Sequence, residues 1–316
     1  MAVELTHTPV CRLCGQGPLE PRLVFRAPTY SLSGDFYLVA CSKCGTWQIN
    51  PHPGQKLCQA YFSRPELWAE GLDPDNNPVS PVKRAEERLK EYIIYARAVN
   101  HFLPKGGLVM DIGAGTGLML SLIPDSFSRL AIEPNQEAAE VARSRGLEVV
   151  REWAENLNFS HKPLSGLIFN QALDHLPRPD IILNRTLNRL TPGGLILITG
   201  LINPLSLPAR LYGQGHRLWN PFHQIYPPLS AVQSVLAAYG LETVGVWRPY
   251  FNTPYGNTVK LIADFFKLMG ALFIRPKGAV SPPWPGSTYS LLARKKVLFK
   301  PLSARSPQAA PIGSAY

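Results

Sequence analysis

A glycine-rich turn with an acid on either side is the strongest chemical signal in this sequence of 316 residues. The stretch Asp111-Ile-Gly113-Ala-Gly115-Thr-Gly117 follows a short apolar run, and Glu133 stands 22 residues beyond Asp111. Glycines let the backbone turn sharply and approach a ligand where any Cβ would collide. An acid at the end of the next strand can accept hydrogen bonds from both hydroxyls of a ribose. We therefore expect a nucleoside-binding crevice.

The spacing of these glycines narrows the class of nucleoside. Dinucleotide sites use GxGxxG, in which the pyrophosphate meets the N-terminus of a helix. Here the third glycine comes one residue early, at Gly117, and Leu118 holds the expected position. The resulting GxGxG suits a ligand that lacks a pyrophosphate. A purely structural turn is the alternative, and the strand before the turn together with Glu133 argues against it.

Four of the five cysteines form two matched pairs, Cys11 with Cys14 and Cys41 with Cys44, each followed by a glycine. Two cysteines at this spacing can direct both sulfurs at one ion. The pairs together predict a closed Cys₄ zinc site on a small β-ribbon, structural because no position is left for a water. A redox dithiol is the alternative, but it does not explain two matched pairs. Cys58 is expected to be a small buried residue.

The elements that must position these residues alternate between strand and helix from Gly107 to about Gly200. We predict parallel strands at 108–110, 130–132, 147–150, 166–169 and 195–199, with helices at 136–145 and 179–190 between them. Helices are also predicted at 82–102 and 230–239, and a last strand at 289–293. The alternation indicates an α/β fold, a Rossmann-like, doubly wound and mostly parallel sheet with helices on both faces.

The order of these motifs resembles the class I S-adenosylmethionine-dependent methyltransferases, in particular the ubiquinone-type O-methyltransferase branch. The resemblance covers about residues 105–245 and rests on DIGAGTG, AIEPN, AENL and LIFNQALDHLPRPDIILNRTLNRLTPGGLILIT. It implies S-adenosyl-L-methionine as the cofactor. The cofactor-binding residues that it implies are Asp111, Gly113, Gly115, Gly117, Glu133, Ala154 and Asn170.

The same resemblance assigns a part of the cofactor to each group. Asp111 and the glycines would bracket the methionine part, Glu133 would bind the ribose, and Ala154 would lie near the adenine. Asn170 would donate or accept hydrogen bonds near the cofactor rather than do chemistry. Relatives often carry an acid before that alanine, whereas this chain has Trp153, which either stacks on the base or belongs to the core.

The N-terminal half of the pattern is similar to a second group. Two cysteine pairs, then the segment 50–62, then the methyltransferase core are found in a broad bacterial group that includes zinc-containing deoxysugar C-methyltransferases. The sequence has no counterpart of the further C-terminal domain of those sugar enzymes, which leaves the acceptor open. Shorter relatives resemble tailoring enzymes for glycans, lipids or secondary metabolites.

Methyl transfer from a sulfonium is an in-line displacement whose leaving group needs no acid. The protein must align the reactants, exclude water and, for a hydroxyl or carbon acceptor, remove a proton. Two histidines are candidate bases, because an unperturbed histidine titrates near neutral pH. His175 follows the fourth strand, and His223 belongs to a His-x-x-x-Phe/Tyr-like element that covers the acceptor pocket in relatives. A structural histidine bonded to the backbone is the alternative for each.

Charge and composition favour a folded protein with one basic end. Hydrophobic residues make up 45% and charged residues 17%, and nine Lys/Arg against one acid follow Phe251. We see no signal peptide and no run long enough to span a bilayer, so we expect a reducing, cytoplasmic location. The many apolar residues of the segment 259–273 indicate core packing or a dimer surface. The alternative is an interfacial helix that binds the inner face of the membrane.

We divide the chain into a zinc ribbon (1–60), a helical connector (61–104), a methyltransferase domain (105–300) with an acceptor segment (201–258), and a disordered tail (301–316).

The favoured function is methylation, O-methylation first, of a small-molecule, glycan or lipid-linked acceptor. An RNA methyltransferase that uses the ribbon and the basic end is one alternative, and a cofactor-binding scaffold without catalysis is another. Nucleic acid is disfavoured because basic and aromatic residues do not interleave. The oligomeric state stays open.

Overall fold

A computed structural model describes residues 5–26, 34–64, 80–104, 106–157, 162–251, 253–274 and 278–297. These residues form a seven-stranded sheet, a four-stranded sheet and a two-stranded sheet. The predicted tail, 301–316, lies outside the described residues. Within the described part of the chain, no helix is both long and apolar enough to cross a bilayer.

The seven-stranded sheet is the centre of the molecule. In chain order its strands are β6 (Leu108–Ile112), β7 (Ser128–Ile132), β8 (Glu148–Val150), β9 (Leu164–Asn170), β10 (Leu190–Ile202), β12 (Leu241–Trp247) and β13 (Thr288–Lys295). Their spatial order is β12-β13-β10-β9-β6-β7-β8. Five neighbouring strands of this order, β10, β9, β6, β7 and β8, are parallel to one another. Strand β13 is antiparallel to both of its neighbours, β10 and β12. The predicted α/β, Rossmann-like sheet is confirmed.

Helices cover both faces of this sheet, which explains why its strands are apolar runs rather than alternating ones. In β9, every residue before Asn170 is buried. The helices are α1 (Gln55–Phe62), α2 (Pro81–Glu87), α3 (Leu89–Phe102), α4 (Leu118–Ser121), α5 (Gln136–Ser144), α6 (Pro179–Leu187), α7 (Leu207–Tyr212), α8 (Leu229–Ala238) and α9 (Thr258–Phe273). From β6 the chain continues to β7 and β8 on one side, and it then crosses back to β9 on the other side of β6. The carboxyl ends of β6 and β9 therefore border the crevice where such sheets bind ligands.

Three predicted elements differ from the structure. The predicted helix 82–102 is two helices, α2 and α3, joined at Arg88, whose backbone leaves the helical region. Strand β10 begins five residues earlier than predicted and absorbs Pro192-Gly193-Gly194 as an irregularity in its pairing with β9. Strand β12 was not predicted, because its half-buried residues at the sheet edge lack a clear alternation.

The cysteine region builds a separate four-stranded sheet in the order β11-β4-β3-β2. Its strands are β2 (Leu19–Arg26), β3 (Asp35–Cys41), β4 (Trp47–Ile49) and β11 (Ile225–Tyr226), and β1 (Leu5–Thr6) pairs with β5 (His52–Pro53) beside it. Strand β11 lies in the segment between β10 and β12 of the central sheet and pairs antiparallel with β4. The N-terminal sheet is thus completed by a strand from the acceptor segment.

Candidate active site

A cavity of about 620 Å³ opens at the carboxyl ends of β6, β7 and β9. This volume is of the size that holds a cofactor and part of a second molecule. Most of the predicted site residues line it together: Gly113, Gly115, Glu133, Ala154, Asn170, His175 and His223. Two predicted residues, Asp111 and Gly117, lie outside that lining.

The glycine turn follows β6 directly. Gly113 has φ +71°, and a Cβ on it would lie 2.7 Å from the Cβ of Ala172. Gly117 has φ +70°, and a Cβ there would lie 2.4 Å from Leu147 Cδ1. Gly117 is therefore needed for packing against the α5–β8 connection, whereas Gly113 and Gly115 face the cavity.

Glu133 follows β7 and is 5% exposed. Its Oε2 accepts a hydrogen bond from the backbone N–H of Gly115 at 2.8 Å, and its Oε1 accepts one from Asn135 N–H at 2.9 Å. Burial raises the pKa of Glu133 to about 7, although both backbone donors act in the opposite direction. The carboxylate is thus held against the glycine turn, where a ligand's hydroxyls can reach it.

Asp111 lies in β6, behind the cavity lining, and is fully buried. Neither of its oxygens has a well-formed hydrogen bond to the described residues. Burial raises the pKa of Asp111 well above its ordinary value, and the nearby Glu133 adds to the effect. Two buried acids beside one turn form a site that a cation can stabilise.

The far end of the cavity is formed by residues 152–155, which follow β8. Ala154 is buried, and Trp153 is half-buried with its side chain on the cavity. Glu152 accepts hydrogen bonds from Trp153 N–H at 2.8 Å and from Asn156 Nδ2 at 3.0 Å. Trp153 therefore borders the cavity rather than lying wholly in the core.

The end of β9 carries a strained residue. Gln171 has φ +54°, and it is the one non-glycine residue with positive φ in the described part of the chain. Its Nε2 donates to Tyr92 Oη at 3.1 Å, and its backbone N–H points to Thr199. Asn170 Oδ1 accepts from Thr199 Oγ1 at 2.7 Å. Such strain persists where surrounding bonds enforce it, and it is common at functional sites.

Two histidines and an acid meet on the opposite side of the cavity. The rings of His175 and His223 are perpendicular, with centroids 4.3 Å apart. His175 Nδ1 lies 3.1 Å from the backbone oxygen of Phe222, to which this nitrogen donates a hydrogen bond. His223 Nδ1 lies 3.2 Å from Oδ2 of the buried Asp174. Burial, and secondarily His175, lowers the pKa of His223 well below its ordinary value, so the ring is neutral.

Sequence reasoning missed several residues of this site. Asp174 was passed over although it is next to His175, and burial raises its pKa. Arg84 of α2 lines the cavity, and its buried Nε and Nη2 have no hydrogen-bond partner among the described residues. Arg88 also lines it and donates to Glu91 at 2.8 Å. The signal was the run of charges in the connector, but nothing in sequence tells which charges face inward.

The four paired cysteines converge away from the cavity. The sulfurs of Cys11 and Cys44 are 3.7 Å apart, and those of Cys14 and Cys41 are 3.8 Å apart. Zinc–sulfur bonds of about 2.3 Å in a tetrahedron place sulfurs about 3.8 Å from one another. The cluster therefore fits a tetrahedral ion, and all four thiols are free of disulfides. Cys58 is buried, as expected.

A buried arginine connects this cluster to the histidines. Arg12, between two of the cysteines, is 1% exposed and donates to Ile49 O at 2.9 Å. It also donates to both the side-chain and backbone oxygens of Gln224. The Gln224 N–H in turn donates to Asp174 O at 2.6 Å. Burial lowers the pKa of Arg12 to about 9, a cost that these bonds offset.

The comparisons with known proteins agree with this geometry. A methyltransferase-domain family model matches residues 83–246, about half of the chain, so the protein belongs to that family. It is an S-adenosylmethionine-dependent methyltransferase of class I. None of the curated proteins matches its sequence.

Three solved structures are similar to parts of the chain. A possible histamine N-methyltransferase from Thermotoga maritima is 20% identical over 65% of this chain and 89% of its own, with a TM-score of 0.45. The plantazolicin methyltransferase BpumL, bound to S-adenosylhomocysteine, is 15% identical over 77% and 97%, with a TM-score of 0.44. The CcbJ methyltransferase from Streptomyces caelestis is 14% identical over 66% and 95%, with a TM-score of 0.43.

Proposed function

We propose that this methyltransferase methylates a hydroxyl oxygen of a small-molecule, glycan or lipid-linked acceptor. The observation that carries the proposal is the pair His175 and His223, whose rings lie 4.3 Å apart on the cavity that the glycine turn and Glu133 also line. S-adenosylmethionine, when bound, supplies a methyl group on a sulfonium. The protein has to hold both reactants and accept one proton.

Seven residues are assigned to the cofactor in this proposal. Glu133 accepts hydrogen bonds from the ribose hydroxyls, and Trp153 with Ala154 contacts the adenine. Gly113 and Gly115 allow close approach of the methionine part, and Asp111 stabilises its ammonium from behind the turn. The unpaired Arg84 fits the cofactor's carboxylate, because a guanidinium binds carboxylates in a forked geometry.

His223 is proposed as the base. A neutral imidazole whose Nδ1 faces Asp174 presents Nε2 to the cavity as a proton acceptor. With S-adenosylmethionine bound, the acceptor oxygen would take the methyl group as the methyl C–S bond breaks and S-adenosylhomocysteine leaves. The hydroxyl proton would move to His223 Nε2, and the Asp174 carboxylate would stabilise the resulting imidazolium. His175, at right angles to His223, would orient the acceptor hydroxyl or replace His223 as the base.

The Cys₄ cluster is proposed to hold one structural zinc ion, and residues 1–60 with β11 to form its ribbon. A metal-binding thiol cluster fits a reducing compartment, so we propose a cytoplasmic location. The combination of ribbon and methyltransferase core favours the group that includes the zinc-containing deoxysugar C-methyltransferases.

The proposal is tested by a screen of hydroxylated acceptors in which released S-adenosylhomocysteine is measured. The wild type should release it with at least one acceptor, and nuclear magnetic resonance of the product should show an O-methyl group. A product methylated on carbon or nitrogen would refute O-methylation while leaving methyl transfer intact. Turnover with RNA alone would assign the protein to the RNA methyltransferases. Binding without turnover throughout the screen would favour a cofactor-binding scaffold.

A further inference from the structure

Helix α9 exposes an apolar face that no described residue covers. Val259, Ile262, Phe266 and Phe273 recur at helical spacing, and between 57% and 87% of each is exposed. We call these four residues the outer face. The opposite side of the helix buries Asp264, Leu268 and Ala271. Monomeric proteins seldom leave such a continuous apolar surface in water, and where they do it usually marks a contact site.

The exposed charged side chains of α9 are lysines. Lys260 and Lys267 are exposed along one edge of α9. The acid of this helix, Asp264, is buried and lies 3.2 Å from Lys267 Nζ, so no carboxylate of α9 faces solvent. Arg275 and Lys277 follow the helix in sequence. The surface therefore combines apolar side chains with basic ones, which suits an anionic layer of lipid headgroups.

The same apolar surface reaches the active-site cavity. The ring of Phe265, beside the outer face, stacks on Trp284 with centroids 6.4 Å apart. Trp284 and its neighbour Pro283 line the cavity, as does Tyr250 from the loop before α9. An acceptor entering over Trp284 would pass from the surface of α9 into the cavity.

We propose that the outer face of α9 lies in the headgroup region of an anionic bilayer, and that an amphiphilic acceptor reaches the cavity from there. A helix of 16 residues is about 24 Å long, enough to rest in the plane of the interface. A second copy of the chain fits less well, because an isologous dimer would bring the lysine edges of both copies into one interface. The acceptor class rests on the proposed function; the bilayer contact does not.

Vesicle flotation of the full chain tests the contact. Vesicles of phosphatidylcholine alone are compared with vesicles in which about one third of the lipid is phosphatidylglycerol. The wild type should bind the anionic vesicles at least about tenfold more, and salt should reduce the binding. Ile262→Asp combined with Phe266→Asp should reduce it at least about tenfold. Ile94→Asp is the matched control, because Ile94 is an exposed isoleucine on α3, and it should change binding less than about twofold.

Two results would overturn this inference. One is a wild-type protein that stays unbound to anionic vesicles at low salt. The other is equal loss of binding in the Ile94→Asp control and the double variant, which would remove the link to α9. Sedimentation velocity on the same proteins identifies a dimer that the double variant dissociates, the outcome expected if a second copy covers the outer face. Calorimetry with S-adenosylhomocysteine confirms that each variant is folded, and it separates failure of membrane binding from failure of the proposed methyl transfer.

Discussion

Replacing Glu133 by glutamine should weaken binding of S-adenosylhomocysteine at pH 8 by about 10- to 150-fold. Glutamine keeps the size of the side chain but removes the charge that strengthens hydrogen bonds from the ribose. Losing one such charge-assisted bond costs about 1.5–3 kcal/mol, which gives that range of affinity. Calorimetric titration of both proteins measures it directly.

The pH dependence of the two proteins makes the test sharper. The pKa of Glu133 is raised from 4.5 to about 7, so protonation stabilises the free fold below pH 4.5, and this contribution is lost as the pH rises through about 7. Cofactor binding needs the ionised form, so affinity should rise with pH. At pH 5 roughly one carboxylate in a hundred is ionised, which predicts up to about 100-fold weaker binding than at pH 8.

The Glu133→Gln variant is the control for the pH dependence of the wild type. It keeps Asp111 and every other titrating group, so its affinity should vary less between pH 5 and pH 8 than that of the wild type. If the affinity for S-adenosylhomocysteine changed with pH equally in the two proteins, the reasoning would be refuted. So would a loss of less than about threefold in affinity at pH 8, because it would show that the ribose does not reach this carboxylate.

Three further predictions concern the base, the metal and the turn. His223→Gln should lower turnover by at least about 100-fold while affinity for S-adenosylhomocysteine stays within about threefold; a smaller loss would move the proton to another group. Elemental analysis should find about one zinc per chain in the wild type and none in Cys41→Ser, whose melting temperature should fall; full zinc in the variant would contradict the Cys₄ site. Gly113→Ala should destabilise the protein by more than the roughly 1–2 kcal/mol expected for Gly146→Ala, because both have positive φ but only the first places a Cβ against Ala172. If thermal unfolding showed equal losses of stability in the two variants, the turn would accommodate a Cβ at position 113.

The fold was the most predictable part, because it depends on patterns that are local in sequence. Short apolar runs separated by helical patterns predicted every parallel strand, and the glycine turn identified the strand that borders the crevice. The boundaries failed where packing decides them. Strand β10 extends across Pro192 and two glycines because β9 pairs with Leu190 before them and again from Leu195 after them. The edge strand β12 takes its structure from β13, which follows it by more than 40 residues.

The site was less predictable, because its missed residues acquire their roles from distant partners. Arg12 reads in sequence as a spacer between two cysteines, yet it bonds to Gln224, 212 residues away. Arg84 reads as one charge of a solvated helix, and only the position of α2 turns it toward the cavity. Gly117 matched the cofactor motif but packs against Leu147, because a motif does not say which glycine faces a ligand.

The strand exchange between the two sheets ties the N-terminal region to the segment that carries His223, the proposed base. Strand β11, within three residues of His223, is hydrogen-bonded to β4, and Arg12 holds Gln224 in between. A chimera that grafts the cysteine region of a relative onto this core would leave those bonds unmatched unless residues 224–226 were transplanted with it. Selectivity for the acceptor and retention of the metal should therefore be inherited together.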